Sequence, residues 1–593
     1  MKHLTMKFSV VALTTIAFFS CAQTLHSDNA PGIATGLKQP VAVYNNWSAY
    51  DELSDSIPQT EALAMRLLDE VIRLKKQGVQ IDYYVMDAFW FDRDGGYRVW
   101  NRKNWPDGPG RWLKACKANN IKPGLWFSTN LIQAGGKPML NMIPEWKGSA
   151  TSNGAVLSLF EGGYLNHLME TLQIYADMGF RVFKFDFAYF DAATDEAKRT
   201  ISPADIEELN KQAFIQAIKK FRGKNPEVIF IGYNGFGGDM DDTVTPFRKT
   251  VDSRWLQIFE TLYCGDPRIS DVPMMNFWRS QDLYSDHMVR QFAFNGLPLS
   301  RIDNCSFMIG VTGTCYKRGI AAWKGSLILS LARGGWLNVY HGNLELLTDA
   351  DAAWFAMVQK TYMYLQQFGQ TTQWGDIPGT GNPYGYRSVT SDGSLFTVVN
   401  PSQSTQEIEL PCDGEGRILF HDEGFRPFIR NNKLFLGAEQ LAVVGFGKYN
   451  SGHFDWGTEK DILIPEKIEP LQSEIRIEDE HSALVRVLPV EGMNVRIFFS
   501  QCDESGKPFR SWGGAPPDGI KMNEFLTISA KQGQKQVPVI IHYDKMIWCG
   551  LSWAAAEIKA ENLDLKIPLE IICTSKEGKS KYFDIKTFIC RQK

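Results

Sequence analysis

From Val41 to about Gln367, short apolar or aromatic runs alternate with stretches whose apolar residues recur every three or four positions. Runs of the first kind predict strands and those of the second amphipathic helices, so their alternation predicts βα units around a parallel sheet. Eight strands are expected: Val41–Trp47, Asp82–Phe91, Pro123–Asn130, Arg181–Tyr189, Glu227–Asn234, Met274–Asp282, Leu297–Asp303 and Trp336–His341. Helices fall between them, as with Leu63, Leu67, Val71 and Leu74 ahead of a stop at Gly78, or Leu165, Leu168, Leu172 and Tyr175 before the fourth strand. Eight such repeats predict an α/β fold, a (β/α)8 TIM barrel over residues 41–370.

Beyond Gln367 the pattern shifts to short alternating strands with turn signals, such as Ser391-Asp392-Gly393 between Tyr386–Val389 and Leu395–Val399. This predicts a small β domain over 371–449, a Gly/Ser/Asp-containing linker over 450–460 and an additional β-sandwich over 461–593. At the other end, a basic Met1–Lys7 and an apolar Phe8–Phe19 precede Ser20-Cys21-Ala22, the layout of a bacterial export signal over residues 1–21, followed by a linker over 22–40. The apolar stretch is too short for a membrane span. Phe18-Phe19-Ser20-Cys21 resembles a lipobox, which would anchor the chain to a membrane through a lipid on Cys21; cleavage after Ala22 would instead release a soluble product. Either way the chain is expected to be exported, as a periplasmic or outer-membrane lipoprotein or as a secreted protein.

Composition narrows the chemistry. The 63 Lys+Arg against 67 Asp+Glu give a net charge of −4 with no long like-charge run, so nothing marks a nucleic-acid partner. The ten cysteines form no CxxC pair and no ligand-spaced cluster, which leaves room for one disulfide but predicts neither a metal site nor a cofactor. Asp239, Asp241 and Asp242 read as a solvated turn, since the rest of a calcium loop is missing. No Gly-x-Ser-x-Gly, His-Glu-x-x-His or phosphate-binding glycine loop is found in a strand–helix context.

Barrel enzymes carry their reactive groups at the C-terminal ends of strands. In Val182-Phe183-Lys184-Phe185-Asp186-Phe187, period-2 alternation sends Lys184 and Asp186 to one face and the phenylalanines to the other. Turned inward, the pair serves chemistry or a structural ion pair. Asp87 ends the second strand, where the alternative is a loop-capping role, and Tyr233-Asn234-Gly235 ends the fifth, where the alternative is a plain turn. The sixth ends in Trp278-Arg279-Ser280-Gln281-Asp282, with a helix N-cap as the competing role for Asp282. Two carboxylates from separate strands with a lysine and aromatics between them suit acid/base and nucleophilic work on a glycosidic bond.

These strand ends resemble the clan of retaining α-galactosidases, glycoside hydrolase family 36 most closely and family 27 as well. Asn46-Trp47-Ser48-Ala49-Tyr50, Tyr84-Val85-Met86-Asp87-Ala88-Phe89-Trp90-Phe91, Trp105-Pro106-Asp107-Gly108, the stretch Ile121–Leu131, Phe183-Lys184-Phe185-Asp186 and Trp278-Arg279-Ser280-Gln281-Asp282 are similar to the family's motifs, in the family's order. The resemblance implies that Asp186 is the nucleophile and Asp282 the general acid/base, that Trp47, Asp87 and Lys184 bind sugar, and that Arg279 contacts the hydroxyl beside the anomeric carbon. Asp271 is the competing acid/base candidate, because the last motif carries one residue too many. The large β domain that precedes the barrel in most family 36 enzymes has no counterpart here, and Tyr233-Asn234-Gly235 replaces the family's cysteine-glycine motif. Ala88 replaces the second aspartate of a pair that binds the far hydroxyls of galactose, which points to a different or substituted sugar. The expectation is an α-galactosidase-like hydrolase acting on oligo- or polysaccharides by double displacement. The alternatives are a raffinose synthase-like transglycosidase and a non-catalytic carbohydrate-binding protein.

Overall fold

Eight parallel strands form the central sheet: β1 (Val41–Asn45), β2 (Tyr83–Met86), β3 (Lys122–Ser128), β4 (Val182–Asp186), β5 (Ile229–Gly232), β6 (Thr261–Leu262), β7 (Asn304–Ile309) and β8 (Leu337–Gly342). They are seen in a computed structural model that describes residues 37–49, 58–88, 90–132, 143–152, 154–241, 244, 246–310, 320–460, 462, 464–512, 522–541 and 550–591. The strands are bonded in the order β6-β5-β4-β3-β2-β1-β8-β7, and a parallel bridge from Leu262 to Ile302, just ahead of β7, joins the two edges into a TIM-barrel-like ring. The export signal, Cys21 and residues 22–36 of the expected linker lie outside the described residues, as do Tyr50, Phe89 and Asp242.

Alternation builds the barrel's two surfaces. Val43, Val85, Val182, Ile231, Tyr233, Tyr263 and Val339 pack together inside the ring. Phe183 and Phe185 point the other way, against Phe221 and Phe214 of helix α4 (Pro203–Lys224). Helix α1 (Glu61–Lys76) shows the same logic on the outer layer. Thr60 caps it by accepting the Leu63 N–H, Leu67, Val71 and Leu74 are buried, and Gly78, at φ +98°, supplies the left-handed turn toward β2. Helices α2 (Gly110–Ala118), α3 (Tyr164–Asp177), α5 (Phe277–Phe294), α6 (Trp323–Ala332) and α7 (Asp349–Phe368) follow in the same alternation, with a short helix over Asp195–Thr200 ahead of α4.

Two strand expectations are corrected. Met274–Asp282 is not the sixth strand: β6 is the two-residue Thr261–Leu262, and Phe277 opens helix α5. Leu297–Asp303 is not the seventh, which starts at Asn304. The first error has a clear cause. Helix α5 is enclosed on nearly all sides, with Arg279, Ser280, Gln281, Asp282, Asp286 and His287 buried beside its apolar residues, so it lacks the exposed polar face that marks a helix in sequence.

After α7 a six-stranded sheet forms from Gln370–Gly375, Tyr384–Thr390, Gly393–Val399, Leu441–Gly447, Arg417–Asp422 and Gly457–Glu459. Its last strand falls inside the stretch expected as a linker, where Glu459 accepts the Lys324 and Gly325 N–H groups at 2.8 Å each. The last segment forms a four-stranded sheet (Lys467–Pro470, Tyr582–Arg591, Asn494–Cys502, Ala554–Ile558) and a five-stranded one (Ser473–Ile477, Ser482–Val487, Leu569–Ser575, Leu526–Gln532, Lys535–Val537). The β-sandwich expected here is thus seen only as two open sheets. Both feed one apolar cluster that also takes in Ile269, Met275, Phe277 and Met308 of the barrel. Cys116, Cys264, Cys412, Cys502, Cys573 and Cys590 are free thiols. Among the described residues no helix is long and apolar enough to cross a membrane.

Candidate active site

Strand β4 supplies the centre of the site. Lys184 and Asp186 both face inward, and Lys184 Nζ lies 2.8 Å from Asp87 Oδ2 at the end of β2, with both side chains almost entirely buried. A buried pair of this kind is stable only when its remaining hydrogen-bonding capacity is met and its geometry is held. Asp87 is held by the segment after β1, where its N–H donates to Asn46 Oδ1 at 2.8 Å and the Asn46 amide donates to Gln59 Oε1 at 2.7 Å. The Lys184 ammonium lies 4.0 Å from the centre of the Tyr233 ring and 6.0 Å from that of Trp47, so aromatic faces complete its shell.

Asp186 is fixed by four donors. Trp126 Nε1 reaches Oδ2 at 3.1 Å, and Oδ1 accepts the Phe187 N–H at 2.9 Å, the Asn234 N–H at 3.1 Å and Asn234 Nδ2 at 2.9 Å. Two unusual backbone positions make this possible. Phe187 adopts φ +47°, a strained setting for a bulky residue, which turns its N–H back onto the carboxylate. Gly235 adopts φ +97° so close to Ala188 that a Cβ would lie 2.3 Å from the Ala188 carbonyl oxygen. The Asn-Gly turn therefore exists and also delivers the Asn234 side chain to Asp186. Burial pushes the Asp186 carboxyl above the ordinary aspartate range; Lys184, Trp126 and Asn234 pull against that rise and Asp87 adds to it. Trp47, Asp87, Lys184, Asp186, Tyr233 and Asn234 are thus brought together.

Arg279 and Asp282 lie elsewhere. Asp282 sits in α5 rather than at a strand end, with Arg279 Nη1 on its Oδ2 at 3.0 Å, while Arg279 Nη2 reaches Asp422 of the six-stranded sheet at 3.2 Å; all three side chains have no solvent exposure. Burial opposes the Arg279 charge, but Asp422, Asp282 and Glu459 outweigh it and raise its affinity for the proton. Arg279 and Asp282 thus belong to the contact between α5 and the six-stranded sheet, not to the barrel's inward face. The N-cap of α5 is Asn276, so the capping role considered for Asp282 is corrected as well. Asp271 stands on the loop between β6 and α5, where Arg510 of the last β segment grips both its oxygens, Nε at 2.9 Å on Oδ1 and Nη2 on Oδ2.

Sequence reasoning missed Trp126, Tyr263 and Asp303. In Gly124-Leu125-Trp126-Phe127-Ser128, Trp126 pairs in register with Lys184 on β4, so alternation along β3 could have placed it beside the inward pair. Tyr263 stacks on Tyr233 with ring centres 4.2 Å apart, and its hydroxyl donates to Asp266; β6 is too short for a period to point at it. Asp303 stands out only as a lone charge entering an apolar strand. Burial pushes its carboxyl up to about 7, against the pull of Tyr233 and Lys184.

This carboxyl predicts a pH dependence of stability. An unfolded aspartate releases its proton near about pH 4, whereas Asp303 in the fold keeps it to about pH 7. Between those values the native state binds the extra proton, so stability falls as pH rises, by at most about 1.4 kcal/mol per pH unit from this group. Asp303→Asn should flatten that decline in urea unfolding followed from pH 4.5 to 7.5. An unchanged slope would show that Asp303 ionises normally.

A closed ring of eight parallel strands with two carboxylates and a lysine converging at its C-terminal ends defines a TIM-barrel-like protein. No family model and no curated protein matches the chain. Solved structures do. The family 36 α-galactosidase AgaB of Geobacillus stearothermophilus matches at 14% identity and a TM-score of 0.50, covering 69% of this chain and 55% of that one. The α-galactosidase of Lactobacillus brevis matches at 15% identity and a TM-score of 0.50, covering 69% and 55%. A family 27 β-L-arabinopyranosidase of G. stearothermophilus matches at 12% identity and a TM-score of 0.45, covering 70% and 98%. The chain has the fold of the family 36 enzymes that its strand-end motifs resemble, and it spans little more than half their length.

Proposed function

We propose that the chain is an exported, retaining α-glycosidase, α-galactosidase-like, that removes terminal α-linked sugars from oligo- or polysaccharides. One observation carries the reading: the Asp186 carboxylate, aimed by four donors beside the Lys184–Asp87 pair at the C-terminal end of β4. Asp186 attacks the anomeric carbon to form a glycosyl ester while the leaving-group oxygen takes a proton from an acid; water then attacks the ester and returns that proton. Asp271 is assigned the acid/base role, since Asp282 is enclosed in α5 with Arg279 and Asp422. Asp87, Lys184 and Trp47 bind the sugar, the first two through hydroxyls and the third through its face. No step calls for a metal or an organic cofactor.

Product analysis with a panel of α-linked sugars tests the reading. Release of a monosaccharide that depends on Asp186 supports it; no turnover of any member overturns it. Ala88 makes a further prediction about the same panel. A hydrogen bond to a charged acceptor contributes roughly 1.5–3 kcal/mol, so a plain α-galactoside should react at least about tenfold worse than in an enzyme that has the second aspartate. The wild type should prefer a sugar that differs at the far hydroxyls, among N-acetylgalactosamine, arabinopyranose, glucose and fucose glycosides, and Ala88→Asp should improve α-galactoside. If α-galactoside is the best wild-type substrate and Ala88→Asp brings no gain, the specificity argument fails.

A further inference from the structure

The five-stranded sheet of the last segment ends on one side in Ser473–Ile477, and among the described residues no strand pairs with the outer side of that strand. The Glu478 N–H donates to the Ser482 carbonyl at 3.0 Å, in register with the pairing of Glu474 to Arg486 and of Arg476 to Leu484. Peptide groups alternate in direction along an antiparallel strand. Glu474 and Arg476 therefore bond to the neighbouring strand, while the peptide groups of Ser473, Ile475 and Ile477 point away from the sheet. Two other edges are blunted. Lys467–Pro470, bordering the four-stranded sheet, carries a proline and exposed Lys467 and Glu469, and Lys535–Val537 has three residues with Lys535 exposed. Ser473–Ile477 is longer, holds no proline, and shows solvent two isoleucines, Ile475 at 43% and Ile477 at 38% exposure.

The two faces of this strand carry different signals. Ile475 and Ile477 lie opposite Val485 and Ala483 on the next strand, which are fully buried, so the apolar face of the sheet runs on past its covered part to the edge. Exposed isoleucines continuous with a core mark a surface that gains by being covered. The other face carries a row of alternating charge across the strands. Lys531 stands 3.3 Å from Glu570, Glu570 2.8 Å from Arg486, and Arg486 3.6 Å from Glu474. That row reaches the edge at Glu474. Arg476, two residues along the same strand and on the same face, is exposed and pairs with Glu478 just past the strand's end at 2.6 Å.

We propose that this edge pairs with the same edge of a second copy of the chain, antiparallel and two-fold symmetric about Ile475, to give a homodimer with one sheet continuous across both copies. Centred there, Ser473, Ile475 and Ile477 exchange hydrogen bonds with Ile477, Ile475 and Ser473 of the second copy, using the peptide groups that point outward. Each Glu474 then stands opposite the second copy's Arg476, which continues the alternation of charge, and the isoleucines of both copies meet on the apolar face. Neighbouring registers lack this match. Centring on Glu474 sets glutamate against glutamate, and centring on Arg476 sets arginine against arginine. The Arg476–Glu478 and Arg486–Glu474 contacts are exposed, so exchanging them costs little. The inference goes beyond the proposed function and does not depend on it.

The test follows the mass of the full chain by sedimentation velocity over a concentration series. Wild type should sediment as a dimer that dissociates on dilution. Glu474→Arg sets like charges opposite each other at both symmetric positions, and so does Arg476→Glu, so either substitution alone should weaken the dimer by at least about tenfold. The double variant Glu474→Arg/Arg476→Glu should dimerise as the wild type does. An equimolar mixture of the two single variants brings opposite charges together again and should form a mixed dimer, which also shows that both are folded. A monomeric wild type, a dimer indifferent to both single substitutions, or single variants that do not pair on mixing overturns the proposal. None of these readouts involves turnover, so the result stands apart from the glycosidase reading.

Discussion

Asp186→Asn is expected to lower kcat/KM by at least about a thousandfold on any good substrate, because the variant keeps the shape of the side chain and loses the nucleophile. The asparagine oxygen could still accept the Phe187 N–H and both Asn234 donors, and only the Trp126 contact would face the amide nitrogen, so the fold should be retained. Asp186→Gly opens space for a small anion, and azide should restore part of the turnover. The pH profile gives a second readout. A carboxylate nucleophile works ionised, and burial raises the affinity of Asp186 for the proton, so activity should fall off on the acid side at a pH above the ordinary aspartate value of about 4. Near-normal activity of Asp186→Asn would remove Asp186 from the chemistry.

Arg279→Met should destabilise the protein by about 3–5 kcal/mol in urea unfolding at neutral pH. The guanidinium lies between Asp282 and Asp422 with no solvent exposure, and Glu459 adds to its field. Removing it leaves carboxylates enclosed without a counter-charge, which is costlier than never having placed charges there. Burial already pushes Glu459 up to about 7, so part of the loss would be relieved by proton uptake and the variant should recover stability as pH falls. Were Arg279 instead a sugar contact, the variant would keep its stability and lose substrate affinity. Those opposite outcomes separate a structural charge cluster from a binding residue.

The barrel and the strand that carries Asp186 were legible in the sequence because both rest on local periodicity. Lys184 and Asp186 alternate with Phe183 and Phe185, and a two-residue period needs no knowledge of the neighbours to assign faces. Val43, Val85 and Val339 announce their strands in the same way. Periodicity fails where an element is enclosed on every side. Helix α5 buries Arg279, Gln281 and Asp282 beside Phe277 and Leu283, so its sequence shows no amphipathic stripe and Asp282 could be mistaken for a strand-end acid. Only the tertiary structure places Arg279 against Asp422, 143 residues further on, and Arg510 against Asp271, 239 residues before it. Such pairings link segments that no short-range pattern connects. They depend on how the C-terminal β segments pack against the barrel, and packing is decided by the shapes of whole surfaces rather than by the order of residues along any one of them.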